Sequence, residues 1–370
     1  MIELPTGRRV VVDAFGETPL EAIAKHLRIE DQPAPTDLGP GEVLVAVRSA
    51  AVGWVDLLMT SGQYQHMATP PYTPGLEFAG EIAAVGSEVA DLAVGTRVVV
   101  DPFVVGPRTS GPYRVWGGFA SWAVAPREGV FPLPDRLGFD EAANLLGNYE
   151  TAYFCLLTRG RLQAGETVLV LGATGSTGLA AVTIAKQVGA QVIAAGRSAE
   201  KLEAVAEEGA DHLLVTVDEH GELRPFRDDL KALTGGRGVD VIYDPVGGDV
   251  SVEALKGAAF GGRFVLVGWA STPFVARGKG QRGAPRANQL PTNLIMMKGL
   301  DVLGSPTVIT TARDPSLRPP RLEQIWKWLE GGAIRPRVGP GYDLEDVVEA
   351  MKAKWESRFV GGCVLHPPKL

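Results

Sequence analysis

The chain has 370 residues, 45% of them hydrophobic and 21% charged, with a formal net charge of −7. That length exceeds one ordinary core and suits two, the composition is that of a globular protein, and the acidic balance argues against nucleic acid or an anionic membrane surface as partner. The two cysteines, Cys155 and Cys363, exclude a disulfide framework and a multi-cysteine zinc site.

The opening MIELPTGRRVVVDAF lacks the apolar run of a signal peptide, and no stretch of about 18 uninterrupted apolar residues offers a membrane span. A cytoplasmic protein is therefore expected. Residues 1–146 read as short strands broken by turns: 42–49 (EVLVAVRS), 77–85 (EFAGEIAAV), 97–101 (RVVVD) and 119–124 (FASWAV). Proline and glycine punctuate them at 38–41 and 70–75, the signature of a mostly antiparallel β domain.

The pattern changes at Thr167. The run 167–172 (TVLVLG) is continuously apolar, as in a parallel strand buried on both faces. A helix is expected over 177–188, stopped by Gly189, then a strand at 191–195 and a helix from a Ser198 cap to Gly209. Strands at 211–215, 239–244 and 263–267 alternate with helices at 229–233 and 250–257, which predicts a doubly wound sheet over residues 147–308. The tail, 309–370, carries expected helices at 322–329 and 344–354 and strands at 334–338 and 362–365, and is expected to return to the first domain. The segment 277–286 (RGKGQRGAPR) is a basic, glycine-rich loop, and 101–116 and 271–292 are both long loops.

The strongest chemical signal is the segment Gly172-Ala173-Thr174-Gly175-Ser176-Thr177-Gly178, set between a buried strand and a helix. The N–H groups and positive dipole end of that helix suit a pyrophosphate, and glycine lets phosphates approach the backbone. The spacing G-x-x-G-x-x-G departs from the usual dinucleotide pattern, but the strand before and the helix after are in place. At the end of the second strand stand Gly196-Arg197-Ser198, with Lys201 one turn on. A carboxylate there would favour NAD; an arginine, a hydroxyl and a lysine favour the 2′-phosphate of NADPH.

With these residues in place the chain resembles the medium-chain dehydrogenase/reductase superfamily, in its zinc-free quinone oxidoreductase branch. The resemblance rests on VGWVDLLMTSGQY (52–64), PGLEFAGEIAAVG (74–86), GGFASWAVAP (117–126), NYETAYFCLLTRGRLQAGETVLVLGATGSTG (148–178), VIYDPVGG (241–248) and ESRFVGGCVL (356–365), in the family's order. It implies an α/β fold, a GroES-like β domain plus a Rossmann doubly wound parallel-sheet domain. Aligned on Asp56, on Pro74-Gly75 with Glu77, and on Thr151-Ala152-Tyr153, the three catalytic zinc positions of metal-dependent relatives fall at Gly53, Leu76 and Gly147. None of these binds zinc through a side chain.

The resemblance also implies roles. Tyr64 matches the catalytic tyrosine of related enoyl-thioester reductases and is the candidate proton donor, with Trp54 and Asn148 as further substrate-side residues. Thr151, Pro245, Val246, Val267, Gly268, Trp269 and Arg358 match positions that line the cofactor. Asp244 ends the strand before Pro245. The family commonly forms homodimers by pairing edge strands of the Rossmann sheet, here expected at 299–304. Without a Lewis acid to polarise an alcohol, the fitting chemistry is hydride transfer from NADPH to an electrophilic small molecule, a quinone or an α,β-unsaturated carbonyl. The alternatives are an enoyl-thioester reductase, which the basic loop would favour, and a non-catalytic NADPH-binding protein.

Overall fold

The computed structural model describes residues 4–64, 66, 68–271 and 288–370; the basic segment 277–286 lies outside them. The chain divides into two compact units, one from residues 4–147 and 337–370, the other from 148–271 and 288–336. The first unit begins with β1 (Gly7–Val12), β2 (Leu27–Gln32), β3 (Glu42–Val52), β4 (Glu77–Val85), β5 (Arg97–Val100), β6 (Trp122–Pro126) and β7 (Val130–Pro132). The second contributes β8 (Thr167–Leu171), β9 (Gln191–Gly196), β10 (His212–Val215), β11 (Val239–Asp244), β12 (Ala258–Leu266) and β13 (Asp301–Gly304). The chain then returns to the first unit as β14 (Val338–Asp343) and β15 (Gly362–His366).

In the first unit β1 and β2 form an antiparallel pair, and a larger sheet runs β14-β15-β3-β4-β5-β7 with β6 also on β3. The 11-residue β3 is the centre of this unit, pairing with β4, β6 and β15. Its alternation divides its side chains between two cores. Val43, Val45 and Val47 face one with Phe78, Ile82 and Phe119, while Leu44 and Ala46 face another with Trp122 and Val124. An irregularity between Val47 and Ser49 then keeps Ala50 and Val52 on the first face. Each such valine or leucine, fully buried, contributes about 1.5–3 kcal/mol. The segment 101–116 packs on this unit: Val105 is buried, and the Asp101 carbonyl accepts from the N–H groups of Val104 and Val105.

The sheet of the second unit is wholly parallel, in the order β10-β9-β8-β11-β12-β13. Its middle strand β8 is buried at every position, which is why its sequence is an unbroken apolar run. The helix Ser176–Gln187 buries every residue from Gly178 to Ala185, and its small side chains let it lie close on the sheet. It ends where Gly189 takes a positive φ of 79°. From β8 the chain winds outward to β9 and β10, then crosses to β11, β12 and β13. The order therefore reverses between β8 and β11, the place where open α/β sheets leave a crevice at the carboxyl ends of their strands. The α/β class, with a GroES-like β domain and a Rossmann domain, is as the sequence led us to expect.

Several boundaries differ. The strand expected at 119–124 starts at Trp122, because 119–121 is drawn to β1: Val10 N–H donates to Phe119 O and Ser121 N–H to Arg8 O, both at 2.8 Å. The strand expected at 334–338 is instead β14, starting at Val338; Pro336 has no N–H for a ladder, and pairing begins beyond it at Val338 with Gly362. The return to the first unit comes at residue 337 and not at 309. The helix Arg318–Glu330 is held in the second unit because Arg318 and Arg321 both bond the fully buried Glu150 carboxylate.

Candidate active site

In the second unit the glycine segment turns from β8 into the helix Ser176–Gln187. Gly172 has φ +61°, a conformation that side chains disfavour, and a Cβ there would also lie 3.0 Å from Val246. Gly178 is tighter still: a Cβ would come within 2.3 Å of the Gly172 carbonyl oxygen, so only glycine lets the helix seat against the strand. Gly175 is the N-cap and brings no side-chain acceptor to the first-turn N–H groups. Its N–H donates to Gly172 O at 3.1 Å, closing the turn. Ala173, Thr174, Ser176 and Thr177 complete a segment whose backbone curves around the positive end of the helix.

Next to it, β9 ends at Gly196, where a Cβ would meet Leu202 at 3.2 Å and Thr174 at 3.6 Å. Arg197 follows, exposed. Ser198 caps the helix Ala199–Ala206 by accepting from Lys201 N–H at 3.3 Å, which leaves its hydroxyl hydrogen as a donor. On the other side of β8, the buried Asp244 organises the turn after β11. One of its oxygens accepts from Val246 and Gly247 N–H, each at 2.9 Å, and the other bonds the Ser251 hydroxyl. Burial pushes the Asp244 carboxyl up, opposed by these three donors. The Asp244 carbonyl accepts from Val267 and Gly268 N–H at 2.9 and 3.2 Å, and Pro245 O accepts from Ala270 N–H at 3.1 Å. Pro245, Val246, Val267, Gly268 and the half-exposed Trp269 are thus joined at the ends of β11 and β12.

The helix Leu146–Tyr153 brings Asn148 and Thr151 to this unit. Thr177 donates its hydroxyl hydrogen to the Asn148 side-chain oxygen at 2.8 Å, so a residue expected on the substrate side is bonded to the glycine segment. Cys155, in the helical turn that follows, is buried and its thiol is pushed up to about 12 by burial. Its burial is as its apolar surroundings in the sequence suggest.

In the first unit Tyr64 is half-buried against an apolar cluster of Val12, Met59, Tyr72 and Leu76. Trp54 stacks on Trp355 with ring centroids 5.1 Å apart and planes 7° from parallel. Asp56 lies buried on the same helix, Trp54–Thr60. Its carboxylate accepts from Gly53 N–H at 2.9 Å and Gly75 N–H at 3.1 Å, and burial lifts its pKa to about 6. Glu77 accepts from Gly147 N–H. Leu76 is buried in the Tyr64 cluster, and Cβ atoms at Gly53 and Gly147 would press on the Asp56 and Glu77 carboxylates at 2.9 and 2.4 Å. The three positions aligned with zinc ligands therefore surround two carboxylates without supplying a ligand side chain. Among the described residues, no group of three or more His, Cys, Asp or Glu is placed to hold a metal ion. Arg358, in the tail, is exposed and bonds Glu349 and Glu356.

Sequence reasoning missed three features. Tyr72 is 7% exposed and its hydroxyl has no partner among the described residues, next to Asp56. Glu150 is paired with Arg318 and Arg321, although nothing in the sequence spacing links them. Lys354 closes the helix expected over 344–354, and burial draws its amine below the ordinary lysine range.

The model for the alcohol dehydrogenase GroES-like domain matches residues 39–135, and that for zinc-binding dehydrogenases matches 176–315. A quinone oxidoreductase-like protein 2 homolog from Nematostella vectensis is 33% identical over 364 residues, covering 98% of this chain and 90% of its own length. This chain belongs to the medium-chain dehydrogenase/reductase superfamily, in its quinone oxidoreductase branch. It is an oxidoreductase of a superfamily whose members bind nicotinamide cofactors. A solved NAD-dependent alcohol dehydrogenase superposes with a TM-score of 0.78 at 27% identity, covering 97% of this chain and 99% of that one. A mycobacterial protein complexed with NADPH superposes at 0.76 and 26% identity, covering 97% of this chain and all of that one.

Proposed function

We propose that this oxidoreductase is NADPH-dependent and zinc-independent, and that it passes a hydride to a quinone or an α,β-unsaturated carbonyl. The observation that carries the reading is the end of β9, where Arg197 is exposed, the Ser198 hydroxyl can donate and Lys201 opens the next helix, with no carboxylate at 196–198. These three groups suit a 2′-phosphate, and the carboxylate that would bind the ribose hydroxyls of NAD is missing. The likeness to an NADPH-bound structure supports the same choice.

The residues of the glycine segment bind the pyrophosphate with backbone N–H groups, and the Asp244-braced turns hold Pro245, Val246, Val267, Gly268 and Trp269 ready to line the cofactor. NADPH, once bound, supplies the hydride. Gly53, Leu76 and Gly147 leave no ligand set for a catalytic metal, so acceptors that are already electrophilic fit best. Tyr64 gives the proton that completes the reaction, NADPH + H⁺ + acceptor → NADP⁺ + reduced acceptor, and recovers it from solvent.

The test follows NADPH and NADH absorbance with a small quinone, an enal and an enoyl-CoA, in wild type and Tyr64→Phe. Faster consumption of NADPH supports the β9 argument, and the best acceptor names the substrate class. Preference for the enoyl-CoA would instead make the protein an enoyl-thioester reductase. No turnover with any acceptor would leave a binding role.

Two copies are expected to pair through β13. It is an edge of the parallel sheet, and Phe260 on the neighbouring β12 is 86% exposed beside it. Sedimentation velocity over a dilution series should show a dimer that Asp301→Pro or Leu303→Pro dissociates; a monomer at all concentrations would rule the pairing out.

A further inference from the structure

In the second unit three buried polar side-chain atoms have no hydrogen-bond partner among the described residues: the Tyr243 hydroxyl, the Asn288 side-chain oxygen and the Ser305 hydroxyl. All three belong to the half of the sheet beyond β8. Tyr243 is the last residue but one of β11, and Ser305 follows β13. Asn288 lies against the turn at Gly247, where a Cβ would stand 3.6 Å from its amide nitrogen. Among the described residues, β8, β9 and β10 with their helices have no such atom. A polar group left unpaired in the interior destabilises the fold, and where it persists beside a crevice it marks a contact that a ligand can complete.

Ser305 is fixed at the carboxyl edge of the sheet. Its N–H donates to Leu266 O at 3.2 Å, beside the β12 end that continues as Val267, Gly268 and Trp269, and its carbonyl accepts from Thr307 N–H at 2.9 Å. The residue is 6% exposed, so little water reaches it. The Cys155 thiol stands 4.0 Å from the Ser305 carbonyl oxygen, and a thiol is a weak hydrogen-bonding group. Sheet order says which part of a dinucleotide comes here. With the adenosine phosphate at β9 and the pyrophosphate at β8, the nicotinamide half runs over β11 toward β12 and β13. Neighbouring strands are about 4.8 Å apart, which sets β12 about 10 Å from β8. The backbone at this edge offers few donors to an incoming carbonyl oxygen. The N–H groups of Val267 and Gly268 are bonded to Asp244 O, that of Ala270 to Pro245 O and that of Ser271 to Val246 O, and Pro306 has none.

We propose that the Ser305 hydroxyl is a cofactor-binding group of this enzyme, donating a hydrogen bond to the carboxamide oxygen of the nicotinamide ring. The inference rests on the proposed cofactor site and deepens it. The carboxamide is common to NADPH and NADH, so Ser305 anchors the reactive ring of either, whereas Arg197 chooses between them. No covalent bond is made or broken at Ser305.

The experiment compares wild type and Ser305→Ala by isothermal titration calorimetry and by thermal unfolding without ligand. The ligands are NADPH, its thionicotinamide analogue and 2′,5′-ADP, which keeps the phosphates but has no nicotinamide. Ser305→Ala should bind NADPH roughly two- to tenfold more weakly, as for one neutral hydrogen bond, and 2′,5′-ADP as tightly as wild type does. Wild type should bind the analogue more weakly than NADPH, because sulfur is the poorer acceptor, and the variant should bind the two alike. Without ligand the variant should melt at or above the wild-type temperature, since it loses a hydroxyl that has no partner. An unchanged NADPH Kd in Ser305→Ala overturns the proposal. So does a loss shared equally by 2′,5′-ADP, which together with a lowered Tm makes Ser305 a structural residue only. Equal wild-type affinity for NADPH and the analogue overturns it as well, even where Ser305→Ala does not fold. A wild type that binds none of the ligands sinks the cofactor reading and the proposal with it, whereas full NADPH affinity in both proteins sinks the proposal alone.

Discussion

The Thr177 hydroxyl donates to the Asn148 side-chain oxygen at 2.8 Å, tying the first turn of the helix after the glycine segment to the helix Leu146–Tyr153. A neutral side-chain bond of this kind contributes about 0.5–1.5 kcal/mol. Asn148→Ala should therefore weaken NADPH binding by roughly two- to tenfold, because Thr177 loses the partner that fixes its rotamer. Fluorescence titration measures this directly, and an unchanged Kd would place Asn148 outside the cofactor site.

In the NADPH-dependent function proposed above, cofactor choice rests on Arg197 more than on any other single residue. A charge-assisted bond to phosphate contributes about 1.5–3 kcal/mol, so Arg197→Ala should lose roughly 10- to 100-fold in kcat/KM for NADPH and change little for NADH. Arg197→Asp should go further and reverse the preference, since its carboxylate repels the 2′-phosphate. Steady-state kinetics with both cofactors would show it; equal losses for the two would mean that Arg197 does not read the phosphate.

Glu150 is fully buried, bonded by Arg321 at 2.7 and 2.9 Å and by Arg318 at 2.9 Å. Arg321 is itself buried and also donates to Thr311 at 3.0 Å. Glu150→Ala removes the buried carboxylate that both guanidinium groups share, and removing one partner of a buried pair typically costs about 3–5 kcal/mol. Denaturant unfolding should show that loss in the second unit. Replacing Glu150, Arg318 and Arg321 together with apolar residues should cost far less, because the desolvation of the ions disappears along with their attraction.

The pair His366–Asp140, at 2.8 Å, should give stability a pH dependence. The bond to Asp140 raises the His366 pKa, against burial. Burial raises the Asp140 carboxyl too, but the hydrogen bond and charge of His366 act against it and the net shift is downward. The histidine contribution is full below the unfolded imidazole value, about 6.5, and is lost as pH rises through the higher folded value. The aspartate contribution is present above its unfolded value, about 3.9, and is lost as pH falls through the lower folded one. The pair thus stabilises between those limits. With both side chains about 40% exposed, the effect is small, roughly 0.2–1 kcal/mol. Tm measured from pH 4 to 9 should show a mildly acidic excess in wild type that His366→Gln removes; identical curves would mean that the pair contributes nothing.

What the sequence settled by itself was local and periodic. The unbroken apolar run of β8, the glycines at 172, 175 and 178, the serine cap at 198 and the strand–helix alternation each follow from burial or backbone freedom within a few residues, and together they specify a Rossmann unit and its cofactor edge. Tertiary structure decided everything that depends on distant partners. Val45 of β3 faces Ile82 only because a bulge sets the register. Ser121 is drawn to Arg8 across more than a hundred residues, and Glu150 finds Arg318 and Arg321 from a helix expected to belong elsewhere. Lys354 is the clearest case. It closes a helix expected from periodicity alone, and the burial that draws its amine down, like the Asp56 and Glu77 charges that act against it, comes only with folding. A side chain's charge is written in the sequence, but the energy of that charge is set by what surrounds it.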